Sequence, residues 1–227
     1  MHRFSAFLAA ALATVPAAAH ADALQSQVLA AARTTPAEAF AFRRTLTIEA
    51  TGQTKKTIVE QFDPRRAAAD RWSLISVDGR APTAKDLADH RKQKRGPTPG
   101  YARIAEWFGA PATRSDAGAG RVLYRFARLP NGTLKVGSHD ASAATRAEAL
   151  VNTSGPTPFV ERFRFINTAG FRVMLVASVK SMTVDARYRQ LPDGTVIPDD
   201  SSSVTTGSMM GKSGEMRTRT DYGAVTR

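Results

Sequence analysis

From Phe40 onward, apolar residues return at every second position in run after run, and few architectures accept that pattern. Phe40, Phe42, Leu46 and Ile48 point one way, with Arg44 the exception among them; Ala41, Arg43, Thr45, Thr47 and Glu49 point the other. A strand with one buried and one wet face has this period of two. Gly52 marks a turn, Lys55 to Phe62 reads as the hairpin partner, and a third strand near Arg71 to Val77 stops at Asp78-Gly79. The same alternation sets Phe159, Phe163 and Phe165 against Arg162 and Arg164. It also sets Met182, Val184, Ala186 and Tyr188 against Asp185, Arg187 and Arg189. Arg121 to Arg128, Ser203 to Met210 and Glu215 to Tyr222 read as further strands. Phe171 to Val179 is apolar in both phases, which predicts a strand covered on both faces. Pro130-Asn131-Gly132 and Pro192-Asp193-Gly194 are tight-turn signals, because proline fixes φ and glycine accepts positive φ. These readings give a mainly β (α+β) chain with a long antiparallel meander.

Helical signals are few. Leu24, Val28, Leu29 and Ala32 predict one amphipathic helix, followed by Thr35-Pro36. Pro82 to Lys94 breaks the strand pattern, and Thr83 with Asp86 resembles a capping box with Asp in place of Glu or Gln. Ile104, Trp107 and Phe108 suggest a second short piece beyond the Gly96-Pro97-Thr98-Pro99-Gly100 break. Asp116 to Gly120 reads as a loop. Ser138 to Ser154 suggests a helix with Ala144, Ala147 and Leu150 on one side. No shift of composition marks a linker, so residues 22–227 are expected to form one domain.

The N-terminus has the form of an export signal. Met1, His2 and Arg3 give a basic start, and an apolar run extends from Phe4 to Val15. Ala19-His20-Ala21 is an A-x-A cleavage pattern, with Ala21-Asp22-Ala23 as a second option. The apolar run is too short for a bilayer span. Residues 1–21 are therefore expected to be a signal peptide and the mature chain a soluble, periplasmic protein.

The formal net charge is +12. Residues 81–179 hold most of it, with fifteen basic and seven acidic side chains. The densest piece is Arg91-Lys92-Gln93-Lys94-Arg95, and it has two readings. One is contact of Arg91, Lys92, Lys94 and Arg95 with an anionic head group or membrane surface. The other is a solvated helix end, where cations suit the dipole. Aromatic residues are not interleaved with this run as nucleic-acid stacking requires, so no nucleic-acid partner is expected.

Several chemistries are excluded or fail on spacing. With no cysteine there are no disulfides, thiolate metal sites, cysteine nucleophile or lipid anchor. Only His90 and His139 survive removal of the signal, too few for a histidine zinc site. Gly207-Ser208-Met209-Met210-Gly211-Lys212-Ser213 is one residue short of a phosphate-binding loop and reads as a Gly-rich hairpin. His139-Asp140 near Ser142 lacks a nucleophile elbow, and Asp199-Asp200 reads as a hydrated turn. No catalytic residue, metal ligand or cofactor is assigned, and a non-enzymatic protein is expected. The remaining constellation is apolar: Trp72, Phe159, Phe163, Phe165, Val173 and Leu175 either fill an ordinary core or line a hollow.

The order of these elements resembles the LolA/LolB-like group of bacterial envelope proteins. The export signal, the helix from Leu24 and the three early strands follow that order. So do the interruption Asp78-Gly79-Arg80-Ala81-Pro82-Thr83-Ala84-Lys85-Asp86-Leu87 and the late run Met182, Tyr188, Leu191-Pro192-Asp193-Gly194 and Pro198. The resemblance implies a curved antiparallel half-barrel with a few helices over its concave side. It also implies a carrier or binding role for an amphiphile, a lipid or the acyl chain of a lipoprotein. The chain lacks the lipobox cysteine of LolB-type members. The alternative is a non-enzymatic envelope adaptor that docks through an edge strand or the 82–108 segment.

Overall fold

The computed structural model describes residues 22–36, 40–93, 100–174 and 177–226. The expected signal peptide, residues 1–21, lies outside the described residues. In chain order the elements are α1 (Ala23–Thr34), β1 (Ala41–Ala50), β2 (Lys56–Phe62), β3 (Trp72–Val77) and α2 (Ala84–Lys92). A 3-10 helix (Tyr101–Glu106) follows, then β4 (Thr113–Gly118), β5 (Arg121–Phe126), β6 (Lys135–Val136), β7 (His139–Asp140) and β8 (Thr145–Asn152). The chain continues through β9 (Phe159–Asn167), β10 (Phe171–Met174), β11 (Ala177–Gln190), β12 (Val196–Met209) and β13 (Lys212–Thr226). Eleven strands form one sheet in the order β3-β2-β1-β13-β12-β11-β9-β8-β5-β4, with β10 paired to β11. The named pairings in this sheet are antiparallel. The protein is mainly β, with few helices, as the alternation predicts. No described helix is long and apolar enough to cross a membrane.

Local signals explain most of the element ends. Asp22 caps α1 by accepting the Gln25 backbone N–H. The Thr83–Asp86 capping box forms as read: both reciprocal bonds are present, and Arg80 adds an ion pair to Asp86 at 2.7 Å. The Gly-rich segment near residue 211 is a hairpin turn. Met210 and Gly211 have φ of 51° and 79°, the left-handed pair that a two-residue loop needs.

Three expectations change. Ser138 to Ser154 is mostly strand, because β8 is held between β5 and β9. Its inward residues Ala147 and Ala149 each sit between two aromatic residues, Phe126 and Phe165 for the first, Tyr124 and Phe163 for the second. Small side chains are needed there, and that packing overrides the helix preference of alanine. Phe171 to Val179 is not one strand covered on both faces. Phe171 pairs with Val179 and Arg172 with Ser178, so β10 and β11 are antiparallel neighbours in the sheet. Asp116 lies in β4, a sheet edge, rather than in a loop.

One face of the sheet carries the core. Val28, Leu29 and Ala32 of α1, with Tyr101, Ile104, Trp107 and Phe108, pack on inward residues of β5, β8 and β9. A second apolar group, Phe42, Phe62 and Trp72, lies at the β1–β3 end. Between the two, the same face turns hydroxylated. Register places Ser201, Ser203 and Thr205 of β12 opposite Thr220, Thr218 and Met216 of β13. Ser203 and Thr218 share a hydrogen bond of 2.8 Å, and these serines and threonines are half-buried.

Candidate functional site

The 3-10 helix is fastened at both ends. At its start, Tyr101 is buried and its hydroxyl accepts the Val160 backbone N–H at 2.8 Å. After its last residue, the Gln25 side-chain amide donates to the carbonyls of Phe108 at 2.5 Å and Ala110 at 2.9 Å. The first bond satisfies a buried backbone N–H of β9, and the others satisfy carbonyls just past the helix. Between the bonds, Trp107 is pressed edge-on against Phe126, Phe163 and Phe165, with ring centroids 5.1–5.5 Å apart. This edge-to-face contact is the favoured aromatic geometry.

The helix does not seal the sheet completely. Ala186 of β11 faces Ser201 of β12 across the ladder, and two small side chains side by side leave a void. The result is a cavity of about 260 Å³ under the 3-10 helix. Trp107, Phe163, Phe165, Val184 and Tyr188 give it apolar walls. Its rim is charged but paired: Arg103 with Glu106 at 3.1 Å, and Arg187 with Asp200 at 3.6 Å. Burial pushes the Tyr188 and Tyr222 hydroxyls upward, so both stay neutral at ordinary pH. The charged side chains of the lining are those of these two ion pairs, and the tyrosines beside them are neutral. Such a shape accepts an apolar tail better than a charged group.

The structure distributes the expected site residues over several places. Phe163 and Phe165 line the cavity. Phe159 is buried in the same core but is not part of the wall. Val173 lies against Gly137, where a Cβ would meet its methyl at 3.0 Å. Trp72 belongs to the β1–β3 cluster and borders a separate hollow with Leu74, Leu87, His90 and Arg91. Lys92 is exposed at the end of α2. Leu175, Lys94 and Arg95 lie outside the described residues. The basic run and the cavity phenylalanines are therefore not brought together by Arg91.

Sequence reasoning missed a buried polar cluster beside Trp72. Glu60 accepts from Arg44 at 2.6 Å and contacts His90 Nε2 at 2.8 Å, and the Arg44 guanidinium lies 4.0 Å over the Trp72 ring. Arg44 and Glu60 are paired in register on β1 and β2. The signal was present: a charge in the inward phase of two neighbouring strands implies a partner across the ladder.

The residues weighed for chemistry have structural partners. Asp140 accepts from the Ser142 hydroxyl at 2.5 Å, the Ser142 N–H at 3.0 Å and the Gly132 N–H at 2.7 Å, bracing a loop. His139 stacks on Phe171 with ring centroids 4.4 Å apart. Asp199 and Asp200 pair with Arg189 and Arg187. Among the described residues there is no group of three or more side chains able to hold a metal ion.

No protein-family model matches the sequence, and no curated protein matches it significantly. In structure, the chain is similar to a LolA superfamily protein from Nitrosomonas europaea. The TM-score is 0.40 and the identity 10%, over 92% of this chain and 94% of that one.

Proposed function

We propose that the protein is a non-enzymatic binding or carrier protein for an amphiphile in the bacterial envelope, with the apolar tail held under the 3-10 helix. The cavity carries this reading. An apolar void of about 150 Å³ already admits a benzene-sized guest, and this one is about 260 Å³ with aromatic walls, its charged residues paired with one another. Each methylene moved from water into it gains about 0.8 kcal/mol. An anionic head group meets Arg103 or Arg187 at the rim, in exchange with their carboxylate partners. Export belongs to the same proposal, with cleavage after Ala21. That cut keeps Asp22, the cap of α1, whereas a cut after Ala23 removes it.

Delipidated protein is expected to take up a fluorescent fatty acid. Ala186→Phe, which fills the void, should weaken uptake at least about tenfold, or 1.4 kcal/mol. Failure of the wild type to take up the probe, together with lipid-free recovery in native mass spectrometry, removes the proposal.

Edge docking is the second reading, and β4 favours it, because this sheet edge is mostly exposed. Capture of an envelope partner that Ser115→Pro abolishes, without any fatty-acid uptake, would select it.

A further inference from the structure

The β12–β13 hairpin ends in an apolar tip that its own fold does not use. Met209 is 60% exposed and Met210 78%, while Met216, farther along the same hairpin, is 43% exposed. Met210 also holds φ of 51°, in the left-handed region, where asparagine or glycine is the unstrained choice. A large apolar side chain in solvent, on a backbone conformation that resists it, has no folding rationale.

Cations lie on the strands that lead to this tip. Lys212 is paired in register with Met209. Arg172 faces Ser178, which pairs with Ser208, and Lys180 is the extra residue in a bulge between Val179 and Ser181. The bulge is tight: a Cβ on Gly207 would stand 2.0 Å from the Ser178 carbonyl oxygen. Arg172, Lys180 and Lys212 are exposed and, among the described residues, make no ion pair, whereas nearby Glu215 is neutralised by Arg217 at 2.5 Å.

We propose that this tip, Met209–Met210 with Arg172, Lys180 and Lys212 on the strands behind it, docks the protein on an anionic phospholipid surface. The methionines enter the acyl region and the three cations meet phosphates. Methionine is flexible and polarizable, which suits a fluid partner. A protein partner generally needs about 800 Å² on each side, which a two-residue loop does not present. A bilayer makes no such demand. The proposal goes beyond the cavity reading and uses none of its residues, so either can fail alone.

Flotation with phosphatidylcholine vesicles containing about 30 mol% phosphatidylglycerol tests it. Wild type should float with these vesicles and not with pure phosphatidylcholine. Binding should fall at least about tenfold as salt rises from roughly 0.05 to 0.5 M. Met209→Ser with Met210→Asn should lose binding by a similar factor while the melting temperature holds or rises, since Asn suits the turn. The absence of native cysteine lets Met210→Cys carry a single environment-sensitive dye. Its emission should shift to the blue on the anionic vesicles, and a dye at Thr157→Cys, in the β8–β9 turn, should not respond. Wild type that stays off the anionic vesicles, equal binding by the double variant, or binding to a protein component alone overturns the proposal.

Discussion

Asp22 shows how much one side chain can connect. Its carboxylate caps α1, accepts the Tyr124 hydroxyl at 2.8 Å and pairs with Arg114 at 3.3 Å. Burial opposes its charge, but the Gln25 N–H, Tyr124 and Arg114 outweigh it and hold the carboxyl below its ordinary value. A lowered carboxyl contributes stability that is complete above the unfolded value of about 3.9 and is lost as pH falls through the folded value. Asp22→Ala should therefore cost about 1–2 kcal/mol at neutral pH. The gap to wild type in urea melts should narrow below about pH 4. At this scale the sequence was partly legible. The Thr83–Asp86 box could be read because capping is local, and Phe163 and Phe165 because alternation aims them inward. Arg44 with Glu60 was legible only in part: a charge in the inward phase implies a partner, but which one depends on the β1–β2 register.

Elements reveal a different limit. Strand existence followed from period two, yet β8 was hidden by alanines whose purpose lies in the neighbouring strands. The β10–β11 pairing was hidden too, because two apolar strands in succession look like one. The void could not be read at all: it arises where Ala186 and Ser201, fifteen positions apart in the chain, become direct neighbours only after β11 and β12 pair. Its roof, the 3-10 helix, depends on the Tyr101 hydroxyl. Tyr101→Phe leaves the buried Val160 N–H unsatisfied and should cost about 1–3 kcal/mol. Hydrogen exchange should then rise first at Val160 and at the start of β9, before the rest of the sheet responds.

For the whole molecule, the question is whether the two apolar groups melt together. Trp107 reports on the central core and Trp72 on the β1–β3 end. β1 and β13 join these regions through a ladder that runs from Ala41 to Ala50, which is the basis for proposing one domain over residues 22–227. Trp72→Phe and Trp107→Phe variants each leave one fluorophore. Their urea transitions, corrected for any stability change shown by circular dichroism, should coincide with the loss of β signal. Two separated transitions would divide the chain into independent units.

The serine–threonine band on β12 and β13 gives this surface a watershed. Hydroxyls such as Ser203 and Thr218 keep bonds with each other and remain open to solvent. A guest long enough to reach from the Trp107 side to the Trp72 side must lie over wet ground, where a methylene gains little. If the cavity holds an acyl tail as proposed, affinity measured over a series of fatty acids should climb with each added carbon until the tail reaches the band, and then level off.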